Sequence, residues 1–383
     1  MFNTRISLFL TLIRRLLKQD MVLKIHQVAL WPGNLPFVSI IIPCYNHGQY
    51  LNDAVQSILH QTWQNFEIIV VNDGSNAENT VEILKDFHMP KTRVLHLPEN
   101  MGLPAARNAG IQEAKGKYIC CLDADDKLHS TYLEKAIVTM EVNAGLSFVG
   151  SWTQVFGIES RVWYPPQFDP DQIIYFNQFN SLAVFRRSAW KQAGEFCEEM
   201  RNGFEDWEFW VRMTGYGYRG YQITEKLIHV RRTGYSFALR AADKKEALFE
   251  QIKAHNPEIY ADPKSAIEKI KKNYCDIYSP VPFVNLNDRH NYLTMRVTPH
   301  MVVSDLNSEA TIISLNHQDT RSPIIWVAKR ALDEKATDLL YQTTPFVYIL
   351  PNFLPWYVHD EFIQNLMNIW NIKSAQKLKS NFL

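Results

Sequence analysis

The stretch Lys117-Tyr118-Ile119-Cys120-Cys121-Leu122-Asp123-Ala124-Asp125-Asp126 runs from an apolar segment of strand length straight into three aspartates within four positions. A short continuous apolar run fits a strand buried on both faces, and the neighbours Cys120 and Cys121 must then point to opposite sides of the sheet. Carboxylates at a rigid strand end suit a hard divalent cation, Mg²⁺ or Mn²⁺, held against a diphosphate. They equally suit a helix start, with Asp125 or Asp126 capping a helix that begins near His129.

Upstream of this stretch the pattern repeats. Phe37 to Pro43 is a second apolar run, followed by the loop Cys44-Tyr-Asn-His-Gly48 and a helical pattern over Tyr50 to His60. Phe66 to Val71 is a third run, ending on Asn72-Asp-Gly-Ser75; Arg93 to Leu97 is a fourth, with a helix over Pro104 to Lys115. Strand and helix alternating over short connections predict a parallel sheet between helices, an α/β fold. Ligands of such sheets bind at the carboxyl ends of the strands, where Tyr45-Asn46, Asp73-Gly74-Ser75 and Asp123 to Asp126 all fall. No Gly-x-Gly-x-x-Gly follows the first strand, which disfavours a dinucleotide dehydrogenase, and a Walker loop is also absent. Tyr45 and Asp73 suit a nucleoside, with an aromatic face for the base and a carboxylate to accept from a ring N–H.

Composition bounds the class. The 383 residues are enough for two domains, and 46% hydrophobic with 21% charged residues is ordinary for a globular chain. A formal net charge of zero leaves no basic excess for a phosphate backbone, so nucleic acid is not an expected partner. Five scattered cysteines make neither a disulfide framework nor a metal-binding spacing, and point to a reduced, cytosolic setting. Residues 5 to 18 place Ile6, Phe9, Leu10, Ile13, Leu16 and Leu17 on one helical face beside Arg14, Arg15 and Lys18. The apolar run is too short to span a bilayer and lacks a cleavage site. Residues 1–20 therefore read either as a basic amphipathic helix resting on the inner face of a membrane or as a helix packed on the body. Residues 1–35, including most of the linker Trp31 to Pro36, form a separate N-terminal segment.

Val38-Ser-Ile-Ile-Ile-Pro-Cys-Tyr-Asn46, Val71-Asn-Asp-Gly-Ser75, Glu99 to Gly110 with its Ala-Arg-Asn core, and Leu122-Asp-Ala-Asp-Asp126 occur in that order. Phe185 to Gly194 and Gly203-Phe-Glu-Asp-Trp-Glu-Phe-Trp210 follow. This series resembles the signatures of glycosyltransferase family 2 over about residues 36–240, and ordered co-occurrence is far more specific than any one motif. The resemblance implies the GT-A fold, a mostly parallel sheet between helices with a Rossmann-like nucleotide half. It also implies transfer of a sugar from a nucleotide diphosphate, a UDP-sugar, with inversion at the anomeric carbon.

Carried over by position, the resemblance places Pro43, Tyr45 and Asn46 around the base and has Asp73 accept from it. Arg107 would lie near the nucleotide edge or brace the acidic loop. Asp125 would reach the ribose, Asp126 would hold the divalent metal, and Asp123 would be structural. Asp206 matches the catalytic base, with Glu205 assigned to acceptor or donor-sugar binding. Acidic residues at Glu205, Asp206 and Glu208 are also what a first helical turn favours on dipole grounds alone. His229 to Ser236 resembles the closing basic loop, in which Arg231 or Arg232 would meet the diphosphate; Arg232 is taken as the contact. The processive Gln-x-x-Arg-Trp motif is missing, which implies one sugar or a few per encounter. The acceptor would be a glycan, a lipid-linked oligosaccharide or a protein.

Past residue 240 the pattern changes. Residues 241–280 read as a helical extension, with helices over Ala242 to His255 and Pro263 to Tyr274. Residues 281–383 carry apolar runs at Thr311 to Leu315, Pro323 to Val327 and Phe346 to Leu350, then a helical pattern from Asp360 to Lys377. They predict a small α/β appendage, and Phe346 to Leu366 faintly resembles part of a second, truncated glycosyltransferase domain. Two rival classes are a sugar-nucleotide-binding pseudoenzyme or scaffold and a sugar nucleotidyltransferase. The second normally carries a glycine-rich basic loop that Pro43 to Gly48 does not supply.

Overall fold

The computed structural model describes residues 38–234, 241–275, 300–304, 324–369, 372 and 375–378. The amphipathic segment 1–20, the linker up to residue 36, the tail of the basic stretch at Tyr235-Ser236 and the apolar run Thr311 to Leu315 lie outside these residues.

Strands β1 (Val38–Cys44), β2 (Phe66–Asn72), β3 (Thr92–His96) and β4 (Tyr118–Cys121) form the parallel half of a nine-stranded sheet. Every residue of β1 and β4 is buried, as a strand covered on both faces requires. Alternation divides them between two cores. Ile40, Ile42 and Cys120 face the helix Gly48–Leu59, whereas Ile41 and Cys121 face the helix Leu103–Gln112. That second helix docks so closely that a Cβ added at Gly110 would lie 2.4 Å from Ile41 Cγ2. Cys44, Cys120, Cys121, Cys197 and Cys275 are all free thiols.

The expected parallel order holds from β3 to β4 and then changes. Beyond β4 come β8 (Val184–Arg186), β6 (Leu146–Gly157), β9 (Arg219–Arg232) and β5 (Lys127–Leu128), with β7 (Arg161–Trp163) on β6. Here β8 is antiparallel to β4 and β6, β6 runs parallel to β9, and β5 is antiparallel to β9. The sheet is therefore mixed rather than mostly parallel. The helix Glu205–Gly215 packs beneath this half through Trp207, Phe209, Trp210 and Val211, with Phe185, Phe196 and Phe148 among its partners.

The stretch His229 to Arg232, expected as a loop, is the final part of β9 and pairs with Gln154 to Gly157 of β6. Helices Lys245–His255, Pro257–Tyr260 and Pro263–Lys272 bury Ile252, Ile259 and Ile267 in the core beside the helix Glu205–Gly215. A separate parallel sheet contains β10 (His300–Ser304), β11 (Ile324–Ala328), β12 (Val347–Ile349) and β13 (Ala375–Leu378), in the order β12-β11-β10-β13. The helix predicted to run to Lys377 ends at Ile369, and Ala375 to Leu378 instead pairs with Met301 to Ser304, so tertiary pairing overrides the local pattern.

This second sheet sits against the helix Tyr132–Val142, which is buried nearly all round. Lys135, fully buried, reaches Glu225 Oε2 of β9 at 2.8 Å and the Tyr341 hydroxyl at 3.1 Å. Tyr348 donates to Glu134 at 2.9 Å and Thr139 to the Phe353 carbonyl at 2.9 Å. Polar residues on that helix that would face water in an isolated sheet are thus satisfied by the C-terminal unit.

Candidate active site

Three loops at the carboxyl ends of β1, β2 and β3 are tied together by side chains. In the turn after β2, Asn72 Oδ1 accepts from the Ser75 amide at 3.0 Å, while the Ser75 hydroxyl donates to the Cys44 carbonyl and accepts from the Asn46 amide. Gly74 has φ +63°, and a side chain there would collide with the Glu99 backbone, its Cβ lying 2.3 Å from the carbonyl carbon. Asp73 is buried and receives the Met101 amide at 2.7 Å and the Gly102 amide at 3.1 Å, one on each oxygen. It thereby fixes the entry to the helix Leu103–Gln112. Asn46, in the left-handed region at φ 58°, turns its Oδ1 to the amides of Asn76 and Ala77, at the start of the helix Glu78–Lys85.

The acidic turn lies opposite. The Asp126 amide closes it on the Asp123 carbonyl, and β5 clamps its far side to β9. Asp126 is buried, and its Oδ1 accepts from the Arg231 amide at 2.8 Å. Burial pushes the Asp126 carboxyl well up, and the charges of Asp123 and Asp125 add to it; Asp125 is raised by burial and by Asp123, with His47 opposing from 3.8 Å. Between the two sides lies a cavity of about 500 Å³. Pro43, Tyr45, Asp73, Asp123, Asp125, Asp126 and Arg232 line it, with His47, Arg201 and Arg231 beside them. Tyr45 is largely exposed there, so its ring is open to a flat ligand.

Arg107 connects this turn to the second half of the sheet. Its guanidinium is 1% exposed, donating to Asp123 Oδ1 at 2.9 Å and to Glu205 Oε1 at 2.6 Å. Burial works against its charge, but Asp123 and Glu205 outweigh burial and raise its pKa. Next to Glu205, Asp206 accepts from the Trp207 amide at 2.7 Å and from Asn177 Nδ2 at 3.2 Å. Burial and then the Glu205 charge push the Asp206 carboxyl up to about 7, against the pull of Arg107, the Trp207 amide and Asn177. A carboxyl near 7 is suited to general-base work. Glu208, the third acid of that turn, is engaged by Arg212 at 2.8 Å, so the three acids have separate partners rather than a shared dipole role.

The profile of Glycosyl transferase family 2 matches residues 39–244. The chain belongs to glycosyl transferase family 2. Glycosyltransferase GlyA of Streptococcus pneumoniae is 32% identical over 220 residues, covering 53% of this chain and 30% of that protein. An uncharacterised glycosyltransferase of Haemophilus influenzae is 27% identical over 201 residues, covering 48% of this chain and 62% of its own. The chain thus spans less than two thirds of the length of either relative. A crystal structure of S. aureus TarS residues 1–349 in complex with UDP-GlcNAc superposes with a TM-score of 0.48 at 20% identity, over 57% of this chain and 66% of that one.

As a family 2 chain it has the GT-A-like arrangement of a mixed sheet between helices. Pro43, Tyr45, Asp73, Asp125, Asp126 and Arg232 are brought together at one cavity, whereas Asn46 serves the adjoining loops and Arg107 lies behind the wall. Glu205 and Asp206 do not line the cavity; Glu205 is linked to its wall through Arg107 and Asp123, and Asp206 is its neighbour on the helix. Arg231 is occupied: its Nε donates to the Asp125 carbonyl at 3.0 Å, its Nη2 to Asp53 at 3.1 Å, and its guanidinium lies over Tyr50 and Phe156. Arg232, 3.4 Å from an exposed Glu159, is the more available of the pair. Sequence reading missed His47, Arg201 and Asn177, which belong to no repeated motif; only position near a strand end marks His47. Among the described residues no three His, Cys, Asp or Glu side chains converge to hold an ion by themselves. Crowded carboxylates with raised pKa values nonetheless fit a hard cation that takes the rest of its shell from phosphate oxygens. Among the described residues no helix is long and apolar enough to cross a membrane.

Proposed function

We propose that this chain is an inverting glycosyltransferase that moves a sugar from a nucleotide-diphosphate sugar, a UDP-sugar, to an acceptor hydroxyl. The observation that carries the reading is the Arg107 bridge, which couples Asp123 in the wall of the acidic cavity to Glu205 beside a carboxyl raised to about 7. Tyr45 and Pro43 would flank the base and Asp73 would accept from it, its own backbone bonds holding the carboxylate still. Asp125 would meet the ribose. Asp126 would hold a Mn²⁺ or Mg²⁺ ion, which when bound supplies charge stabilisation to the departing diphosphate. Arg232 would pair with the same diphosphate.

Asp206 removes the acceptor hydroxyl proton as that oxygen bonds to the anomeric carbon from the face opposite the leaving group. The C–O bond to the diphosphate breaks with its electron pair, and the configuration inverts. The acceptor is a hydroxyl of a glycan, a lipid-linked oligosaccharide or a protein.

The test pairs turnover with binding. Wild-type protein with Mn²⁺ and a panel of nucleotide sugars should release free nucleoside diphosphate and should melt at higher temperature with its donor. Asp206→Asn should lose transfer by about 10²–10⁴-fold, the usual worth of a positioned base, while keeping the donor-induced shift. Near-normal turnover by that variant would refute Asp206 as the base, and no Mn²⁺-dependent stabilisation by any nucleotide would refute the donor site.

A further inference from the structure

The loop between the short helix Pro170–Ile173 and β8 is pinned at both ends and touches Asp206 through Asn177. On one side the Trp207 indole donates to the Ile173 carbonyl at 2.6 Å and the Tyr260 hydroxyl to the Ile174 carbonyl at 2.7 Å. On the other, Phe179 is fully buried among Phe148, Phe168 and Trp210. Asn177 sits between these anchors. Its Oδ1 accepts from the Phe179 amide at 3.2 Å, which fixes the orientation of the side-chain amide and leaves Nδ2 to donate to Asp206 Oδ2. The other Asp206 oxygen is held by the Trp207 amide, so the carboxylate has a donor on each side.

We propose that Asn177 is a positioning residue for sugar transfer: through its hydrogen bond it fixes the Asp206 carboxylate and keeps it deprotonated, and so available to take the acceptor proton. The proposal rests on the transferase reading for its functional consequence. A hydrogen bond donated to a carboxylate favours the charged form, opposing the burial and the Glu205 charge that favour the neutral one. The charged groups facing Asp206 are Glu205 on its own helix and Arg107 from the helix Leu103–Gln112, which partly cancel, so the neutral amide donor has weight in the balance.

Two variants separate this role from loop support. Asn177→Ala removes both hydrogen bonds. Asn177→Asp keeps an oxygen for the Phe179 amide, and hence the loop, but replaces the donor with an acceptor. The acid limb of kcat/KM against pH should move up by about one to two units in Asn177→Ala and at least as far in Asn177→Asp, as expected for the loss of a bond to a charged group. Activity should fall at least about tenfold at pH 6 and recover substantially above the shifted limb. The ¹³C carboxyl titration of Asp206, assigned by its absence in Asp206→Asn, should move in the same direction. An unmoved titration, or a loss of activity equal at every pH, would overturn the proposal. Because the titration reads the contact whether or not sugar is transferred, an inactive wild-type chain would sink the transferase reading separately.

Discussion

Within Asn72-Asp-Gly-Ser75 each residue does one mechanical job. Asn72 caps the turn, Asp73 clamps the Met101 and Gly102 amides, Gly74 makes a contact with no room for a side chain, and Ser75 ties back to Cys44. Asp73 and Asp206 were legible in the sequence because each lies in a patterned stretch. Asn177 was not, since an Asn in an irregular loop carries no pattern until the fold sets it 3.2 Å from Asp206. Asp206 leads to a prediction with a definite sign. Its folded-state pKa of about 7 lies above the ordinary 3.8, so between those values the folded chain holds a proton that the unfolded chain has lost. Its favourable contribution to folding is present below about pH 4, declines as pH rises, and has become a penalty above about 7. Asp206→Asn should therefore raise stability at pH 8, by up to a few kcal/mol, with the gain shrinking towards pH 5 in melting experiments. In the wild type, kcat/KM should fall about tenfold per pH unit below about 7.

Among the elements, β1, β2 and β4 announced themselves because a strand buried on both faces must be almost wholly apolar. The end of β9 was hidden because His229 to Arg232 is polar, and its extended form is imposed by pairing with β6 and β5. The helix after Asp360 was overextended for the related reason that Ala375 to Leu378 completes a sheet edge. The helices Leu103–Gln112 and Glu205–Gly215 are joined by Arg107, whose loss would leave Asp123 and Glu205 facing each other with no cation between them. Arg107→Met should cost about 3–5 kcal/mol in urea unfolding, the usual result of breaking a buried pair from one side. Arg107→Lys should recover only part, since one ammonium replaces a fork that meets two carboxylates.

For the molecule as a whole, the parallel half of the sheet and its polar strand ends could be read from residues 36–126, while the role of the C-terminal residues could not. A pattern of short apolar runs says that a sheet forms, not what it rests on. The sheet rests on the helix Tyr132–Val142, through Lys135, Glu225 and Tyr341. Glu225→Leu alone should destabilise by about 3–5 kcal/mol, whereas adding Lys135→Met should recover most of that loss, because burying one unpaired charge is worse than burying none. Denaturant titration of the two single variants and the double variant measures the coupling. The profile match stops at residue 244, yet the hydroxyl that reaches Lys135 belongs to Tyr341 and the carbonyl that receives Thr139 to Phe353. The residues that the profile matches are therefore fewer than those that pack together: a cut at residue 244 would open to water Lys135 and Glu225, which Tyr341 and its neighbours shelter.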